Sequence, residues 1–140
     1  MSQKSDSNPP PSQPRGPLIL FVDDDVQLLE AYRDRFLHFG YQVIVSSNGK
    51  DAIEMLSKFK VDLAVLDVAM PGMDGFKLIK ALREIAPNLP TVFLTGRKDR
   101  DILLKAFELR SNSLVEKPCT PQELEFQISR LLAGSRRKAS

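Results

Sequence analysis

Cysteine is nearly absent from this chain: Cys119 is the only one among 140 residues. A single thiol can build neither an intrachain disulfide framework nor a cysteine metal site, and its scarcity fits a reducing compartment. Histidine is equally scarce. His38, the only one, falls late in a helical pattern and reads as a surface residue rather than a phosphodonor. No apolar run approaches the roughly 20 residues that cross a bilayer, and Met1-Ser2-Gln3-Lys4-Ser5 lacks the apolar stretch of a signal peptide. A soluble, cytoplasmic protein is expected. A strong charge imbalance is missing too. The net charge is +2, of which residues 1–17 supply +1 and the last seven +3, leaving the body at −2. The basic isoelectric point comes from the tails and argues poorly for a nucleic-acid-binding domain. Neither a membrane nor a nucleic acid is expected as a partner, and Arg136-Arg137-Lys138 reads as a solubilising tail.

What is present is a globular body: 42% hydrophobic and 27% charged residues, long enough for one domain with a sizeable core. Residues 1–17, rich in Ser, Pro and Gln and carrying Pro9-Pro10-Pro11, read as a disordered arm. The folded body is expected over 18–133, with a short basic tail over 134–140. Strand-like and helix-like segments alternate along the body. Leu18–Val22 is a continuous apolar run, as in a central parallel strand. Asp25 caps the helix that follows, which presents Val26, Leu29, Tyr32 or Arg33, and Phe36 on one face and ends at Gly40. Gln42–Ser46 is a second strand. Asn48-Gly49 reads as a turn, and a helix follows with Ala52, Ile53, Leu56 and Phe59 inward. Leu63–Leu66 is a third strand, and Met70-Pro71-Gly72-Met73-Asp74-Gly75 reads as an irregular loop, with Met70 and Met73 packing over it. Phe76–Ile85 is helical, with Ile79, Leu82 and Ile85 at helical spacing. Thr91–Leu94 is a fourth strand, a fourth helix runs from Asp99 or Asp101 to about Leu109, Leu114–Glu116 is a fifth strand, and Pro121 starts a last helix to about Leu132.

Five strands alternating with five helices imply an α/β fold with a parallel sheet covered on both faces. Sites in such sheets lie beyond the carboxyl ends of the strands. The residues there are Asp23 and Asp24, Asp67, Thr95 and Lys117. Carboxylates a few ångströms apart repel unless a cation or a shared proton offsets them, and an all-oxygen cluster suits a hard metal ion. Together these side chains make a coherent phosphoryl-transfer site. A carboxylate can attack phosphorus and become an acyl phosphate. A divalent ion, a lysine ammonium and a hydroxyl then offset the charge on the phosphoryl oxygens. Gly96, next to Thr95, leaves room for the group.

Four segments carry a family resemblance: Ile-Leu-Phe-Val-Asp-Asp-Asp at 19–25, Asp-Leu-Ala-Val-Leu-Asp-Val-Ala-Met-Pro-Gly-Met-Asp-Gly at 62–75, Thr-Gly at 95–96 and Lys-Pro at 117–118. In this order and spacing, the chain resembles a response-regulator receiver domain of two-component signalling (CheY-like) over residues 18 to about 133. The resemblance implies a flavodoxin-like (βα)5 three-layer sandwich with strand order 2-1-3-4-5. It implies that Asp67 is the phosphoacceptor and Asp24 the direct metal ligand, with Asp23 acting mostly through metal-bound water. Ala69 would lend a backbone carbonyl to magnesium (or manganese). Thr95 would be the switch hydroxyl, and Lys117, before a cis Pro118, the lysine that pairs with the phosphoryl group. It implies a phosphohistidine donor on a histidine kinase or phosphotransfer protein, and a downstream protein target met by the fourth helix, fifth strand and fifth helix, roughly Asp99 to Leu132. A phosphorylation-dependent dimer is a further partner that it allows. The chain is expected to be a phosphoacceptor that promotes its own phosphorylation and dephosphorylation rather than a conventional enzyme. With no room for a DNA-binding output domain after Ala133, a stand-alone receiver is expected. The competing readings are a receiver-like interaction module that does not cycle and the N-terminal fragment of a larger regulator.

The departures from the family pattern are local. The usual switch aromatic three residues before the lysine is Leu114, the common Gly-Ala before that strand is Arg110-Ser111, and the position two after Asp67, polar in many relatives, is Ala69. Cys119 beside Pro118 reads as a small packing residue. With Ala69 unable to assist an attacking water, and with Arg97 able to shield the phosphoryl group, slow dephosphorylation is predicted. Protein loaded with acetyl phosphate should lose its phosphoryl group faster once Ala69→Asn is introduced; an unchanged decay rate would refute the idea.

Overall fold

The computed structural model describes residues 16–70, 73–96, 100–110 and 112–139. Along the chain run β1 (Leu18–Val22), α1 (Val26–His38), β2 (Gln42–Ser46), α2 (Gly49–Lys58), β3 (Leu63–Asp67), the two-residue strands β4 (Ala69–Met70) and β5 (Met73–Asp74), α3 (Gly75–Ile85), β6 (Thr91–Thr95), α4 (Arg100–Glu108), β7 (Ser113–Glu116) and α5 (Pro121–Ala139). Every residue of β3 and β6 is buried, which is why these segments read as unbroken apolar runs rather than as alternating ones. The main sheet is wholly parallel, in the order β2-β1-β3-β6-β7. Counting only its own strands, this is the expected order 2-1-3-4-5.

The sheet divides the core in two. Leu20, Ala64, Leu66 and Phe93 meet Ala52 and Leu56 of α2, Leu78, Ile79 and Leu82 of α3, and Ala106 of α4. On the other face Ile19, Phe21, Val65 and Leu94 meet Leu29, Tyr32 and Phe36 of α1 and Leu124, Ile128 and Leu132 of α5. Alternate residues of each strand thus serve opposite layers, as the period of two requires. Among the described residues no helix is long and apolar enough to cross a membrane.

Several sequence expectations need correction. Val26 is exposed, because the first side chain of a helix leans back past the helix start and finds no core there. Phe59 is exposed because it leaves helical spacing: it caps α2 with φ −121° and ψ 145°. Ile85 is exposed at the end of α3, one turn past Leu82, the last buried residue of that helix. The segment after Asp67 is not all loop. Backbone pairing of Ala69 with Asp74 and Met70 with Met73 makes a small antiparallel ladder around Pro71-Gly72, which lie outside the described residues. The last helix continues to Ala139, past the end expected near Leu132. Gly134 costs a helix only about 1 kcal/mol.

Two backbone positions impose their own demands. A Cβ on Gly75 would lie 2.6 Å from Val68 Cα and 2.8 Å from the Asp67 carbonyl oxygen. Glycine there lets α3 start directly against the chain leaving β3. Arg110 has φ 57°, the left-handed region that glycine enters freely and an arginine enters at a cost of roughly 1–2 kcal/mol. Arg83 Nη2 donates to its carbonyl (2.8 Å) and to Thr91 Oγ1 (3.0 Å), so the turn is tied to α3 and to the first residue of β6. Since the bond to residue 110 uses its backbone carbonyl and the other goes to Thr91, Arg110→Gly should keep both and raise the urea midpoint, by about 0.5–1 kcal/mol of stability after the entropy of an added glycine is counted.

Candidate functional site

The carboxyl ends of β1, β3, β6 and β7 meet at one edge of the sheet, and register decides what they bring. Val22 pairs with Leu66, Asp67 with Leu94, and Thr95 with Glu116. Asp23 follows β1, Asp67 ends β3, Thr95 ends β6, and Lys117 follows β7. One carboxylate oxygen from each of Asp23, Asp24 and Asp67 lies within 4.8 Å of the others. Asp23 and Asp67 are buried; Asp24 is exposed.

Each position is held by a local cause. The Asp23 amide donates to the Ser46 carbonyl at 3.1 Å, which locks the end of β1 to β2. Asp23 Oδ1 accepts from the Asp25 amide (3.0 Å), and Asp25 Oδ1 accepts from the Leu28 amide (3.1 Å). Asp25 is thus the N-cap of α1, as expected, and the turn that it makes fixes the orientation of the Asp23 carboxylate. The Lys117 amide donates to the Thr95 carbonyl at 2.7 Å. The Lys117–Pro118 peptide is cis, and the chain then enters α5 through a reciprocal cap. Glu123 Oε1 accepts from the Thr120 amide (2.7 Å) while the Glu123 amide donates to Thr120 Oγ1 (3.0 Å). The Thr120 backbone N–H, then its hydroxyl, keep the Glu123 carboxyl below the usual range. This capping box was legible as Thr-x-x-Glu at 120–123 and was passed over in favour of Pro121.

Lys117 Nζ lies 2.9 Å from Asp23 Oδ2 and 3.4 Å from Asp67 Oδ2. Burial works against its ammonium, but the hydrogen bond and charge of Asp23, with those of Asp67, outweigh it and raise the pKa above that of an ordinary lysine. Below the site, Tyr32 stacks on Phe21 with ring centroids 5.2 Å apart. Burial pushes its hydroxyl pKa up, and Cys119 and the charges of Asp23 and Asp67 add to the shift.

The donors fit a hard divalent cation. All three are carboxylates, a type that suits magnesium, calcium or manganese rather than softer metals. Among the described residues, three carboxylates when ionised stand against the one Lys117 ammonium, a balance that a divalent ion would offset. Ala69 stands in β4, one residue past Val68, whose amide donates to the Leu94 carbonyl at 3.0 Å. Thr95 is buried at the end of β6. Leu114 is half-buried against the α2–α4 side of the core and Val115 against the α1–α5 side. Arg97 lies outside the described residues, as does Ser111.

The family model "Response regulator receiver domain" matches residues 19–129. The response regulator SaeR of Staphylococcus aureus is 32% identical over 114 residues, 81% of this chain and 50% of the relative. SaeR of Staphylococcus epidermidis is 30% identical over 115 residues, 82% of this chain and again 50% of the relative. The chain therefore spans about half the length of these curated relatives. Among solved structures, the non-phosphorylated HemR receiver domain of Leptospira biflexa is similar with a TM-score of 0.77 and 29% identity, covering 83% of this chain and 94% of that one. A CheY-like receiver domain protein of Methanospirillum hungatei superposes with a TM-score of 0.83 at 21% identity, over 88% of this chain and 98% of that one.

The Lys117 contacts give a pH signature. Because the folded pKa is raised, the stabilisation is complete below the unfolded lysine value of about 10.4 and is lost as pH rises through the higher folded value. In chelator-treated protein, Lys117→Met should lower stability at pH 7–9, and the difference from the parent should shrink above about pH 10.4. Urea unfolding of both proteins across that range checks it; a difference independent of pH would show that the contacts contribute nothing.

Proposed function

This chain belongs to the response regulator receiver domain family, and from that premise we propose that it accepts a phosphoryl group on Asp67 from a phosphohistidine donor. Membership implies a histidine kinase or a phosphotransfer protein as partner. The observation that carries the reading is the convergence of Asp67 with Asp23, Asp24 and Lys117 at the carboxyl edge of the sheet. Ordinary ion pairing does not call for three carboxylates gathered from the ends of two neighbouring strands beside one lysine. In a receiver this set has a stated task.

In the proposed reaction an Asp67 carboxylate oxygen attacks phosphorus. The bond from phosphorus to the imidazole nitrogen breaks, its electron pair stays on that nitrogen, and the imidazole takes up a proton. Asp23, Asp24, Asp67 and the Ala69 carbonyl would hold the magnesium (or manganese) ion, which when bound supplies charge neutralisation at the phosphoryl oxygens. Lys117 gives up its contact with Asp67 and pairs with a phosphoryl oxygen as a mobile point charge. The Thr95 hydroxyl donates to another. The protein contributes positioning and electrostatics rather than covalent chemistry beyond the carboxylate itself.

The output surface we assign is the face of α4, β7 and α5. Its support is apolar exposure. Leu103, Leu104 and Phe107 recur at helical spacing on α4, with Phe107 81% exposed, and Phe126 on α5 is 61% exposed. Beside β7 and α5 lies an open groove of about 570 Å³, lined by Leu114, Val115, Pro118 and Phe126. A surface with several large apolar side chains in the open marks a protein-interaction site. Leu114 favours a second reading, a receiver-like module that binds partners without cycling, because no aromatic stands there to follow Thr95.

Incubation with acetyl phosphate and magnesium should add one phosphoryl group by intact mass, and beryllofluoride with magnesium should shift the amide resonances around Asp67 and Thr95. Asp67→Ala should abolish both. A signal that survives Asp67→Ala, or that is independent of magnesium, would overturn the phosphoacceptor reading and leave the non-cycling module.

A further inference from the structure

At the opposite, amino-terminal edge of the sheet, two arginines stand close together without a counter-ion. Arg83, on α3, is half-buried and donates only to neutral oxygens, those of Thr91 and of the Arg110 backbone. Burial and then the like charge of Arg110 lower its pKa. Among the described residues, neither guanidinium forms an ion pair. Arg110 is in the left-handed region, where the unstrained residue is glycine. The turn does not require an arginine: Arg83 bonds to the carbonyl of residue 110, which any residue supplies. The strained backbone costs this corner stability, and such outliers cluster at ligand clamps and other functional sites.

Both arginines line one open cleft of about 260 Å³ between α3 and α4, with Ile79 and Leu109 among its walls and Lys80, Glu84 and Glu108 as its other charged residues. We propose that this cleft binds a carboxylate of a protein partner, a Glu or Asp side chain flanked by apolar residues. The guanidinium fork matches a carboxylate in bidentate geometry. A single carboxylate relieves the Arg83–Arg110 repulsion, and the aliphatic walls suit its apolar neighbours. Glu84 and Glu108 disfavour a dianion or a run of phosphates, so a peptide fits better than a nucleic acid or inorganic phosphate. The cleft lies at the far end of the strands from Asp67, about 13 Å along β6 at the strand rise, so occupancy does not require the acid site.

The test uses the full chain and the blocked peptide acetyl-Leu-Glu-Leu-amide, followed by amide resonances. Saturable shifts confined to residues 79–84 and 108–110 are expected, with a Kd on the order of 1 mM. Acetyl-Leu-Gln-Leu-amide should give none. Arg110→Gly should weaken binding at least about tenfold, a loss of 1.4 kcal/mol or more, without loss of fold, because it eases the backbone. Asp67→Ala should bind the peptide like the parent, which keeps this site separate from the phosphoacceptor reading. No saturable shift, equal response to the Gln peptide, unchanged binding in Arg110→Gly, or stronger shifts with inorganic phosphate or a short single-stranded DNA would each overturn the proposal.

Discussion

Two carboxylates buried at the ends of neighbouring strands need a cation between them, and Lys117 supplies it. Its ammonium reaches Asp23 at 2.9 Å and Asp67 at 3.4 Å, from a residue that follows an edge strand two places away in the sheet. Burying unpaired charge is among the most costly things that a fold can do. The parallel register must therefore deliver all three strand ends to one place. The Lys117 amide on the Thr95 carbonyl and the Thr120–Glu123 cap set that delivery locally. The Asp25 cap sets it on the β1 side. Among the described residues the carboxylates still outnumber the ammonium, so the arrangement also suits a divalent ion.

Most of the architecture was legible because the three central strands are buried on both faces. Leu18–Val22, Leu63–Leu66 and Thr91–Leu94 read as continuous apolar runs, the pattern of helix-covered parallel strands, and the helical segments between them pointed the same way. The acid site followed from the same fact, since a residue just past such a run lies at the carboxyl edge. Asp25 as a cap was legible through local side-chain chemistry, and it accepts the Leu28 amide; Asn48-Gly49, read as a turn, instead opens α2, with Asn48 as its N-cap accepting the Asp51 amide and Gly49 already helical.

What escaped notice depends on where an element ends in space. Periodicity placed Val26, Phe59 and Ile85 on inward faces, yet each stands at a helix terminus with no core opposite. The β4–β5 ladder is only two pairs long, too short for any periodic signal. The left-handed turn at Arg110 was hidden for a different reason. Nothing in an arginine announces φ 57°, and only the missing glycine of the family pattern marked the place. Close approach was partly readable: Gly75 sits in the matched segment, but the reason for it, the Asp67–Val68 backbone within 2.8 Å of a would-be Cβ, needs three dimensions.

Two of the departures from the family pattern, Leu114 and Arg110-Ser111, fall in or just before β7, an edge strand of the sheet. Leu114 pairs with Phe93 across β7 and β6, one residue before the Leu94–Val115 pair and two before Thr95–Glu116. A movement of Thr95 would therefore reach the β7 edge through backbone pairing and the Lys117 amide rather than through an inward-turning ring. A leucine at 114 already packs on the α2–α4 core, and close-packed interiors transmit displacement without a rotamer switch. Phe107 and Phe126, on the helices either side of that edge, expose far more apolar surface than Leu114 could reveal by moving. Under the proposed function no aromatic has to be exposed to make the output surface: Phe107 and Phe126 already stand in the open, and β7 lies between the helices that carry them.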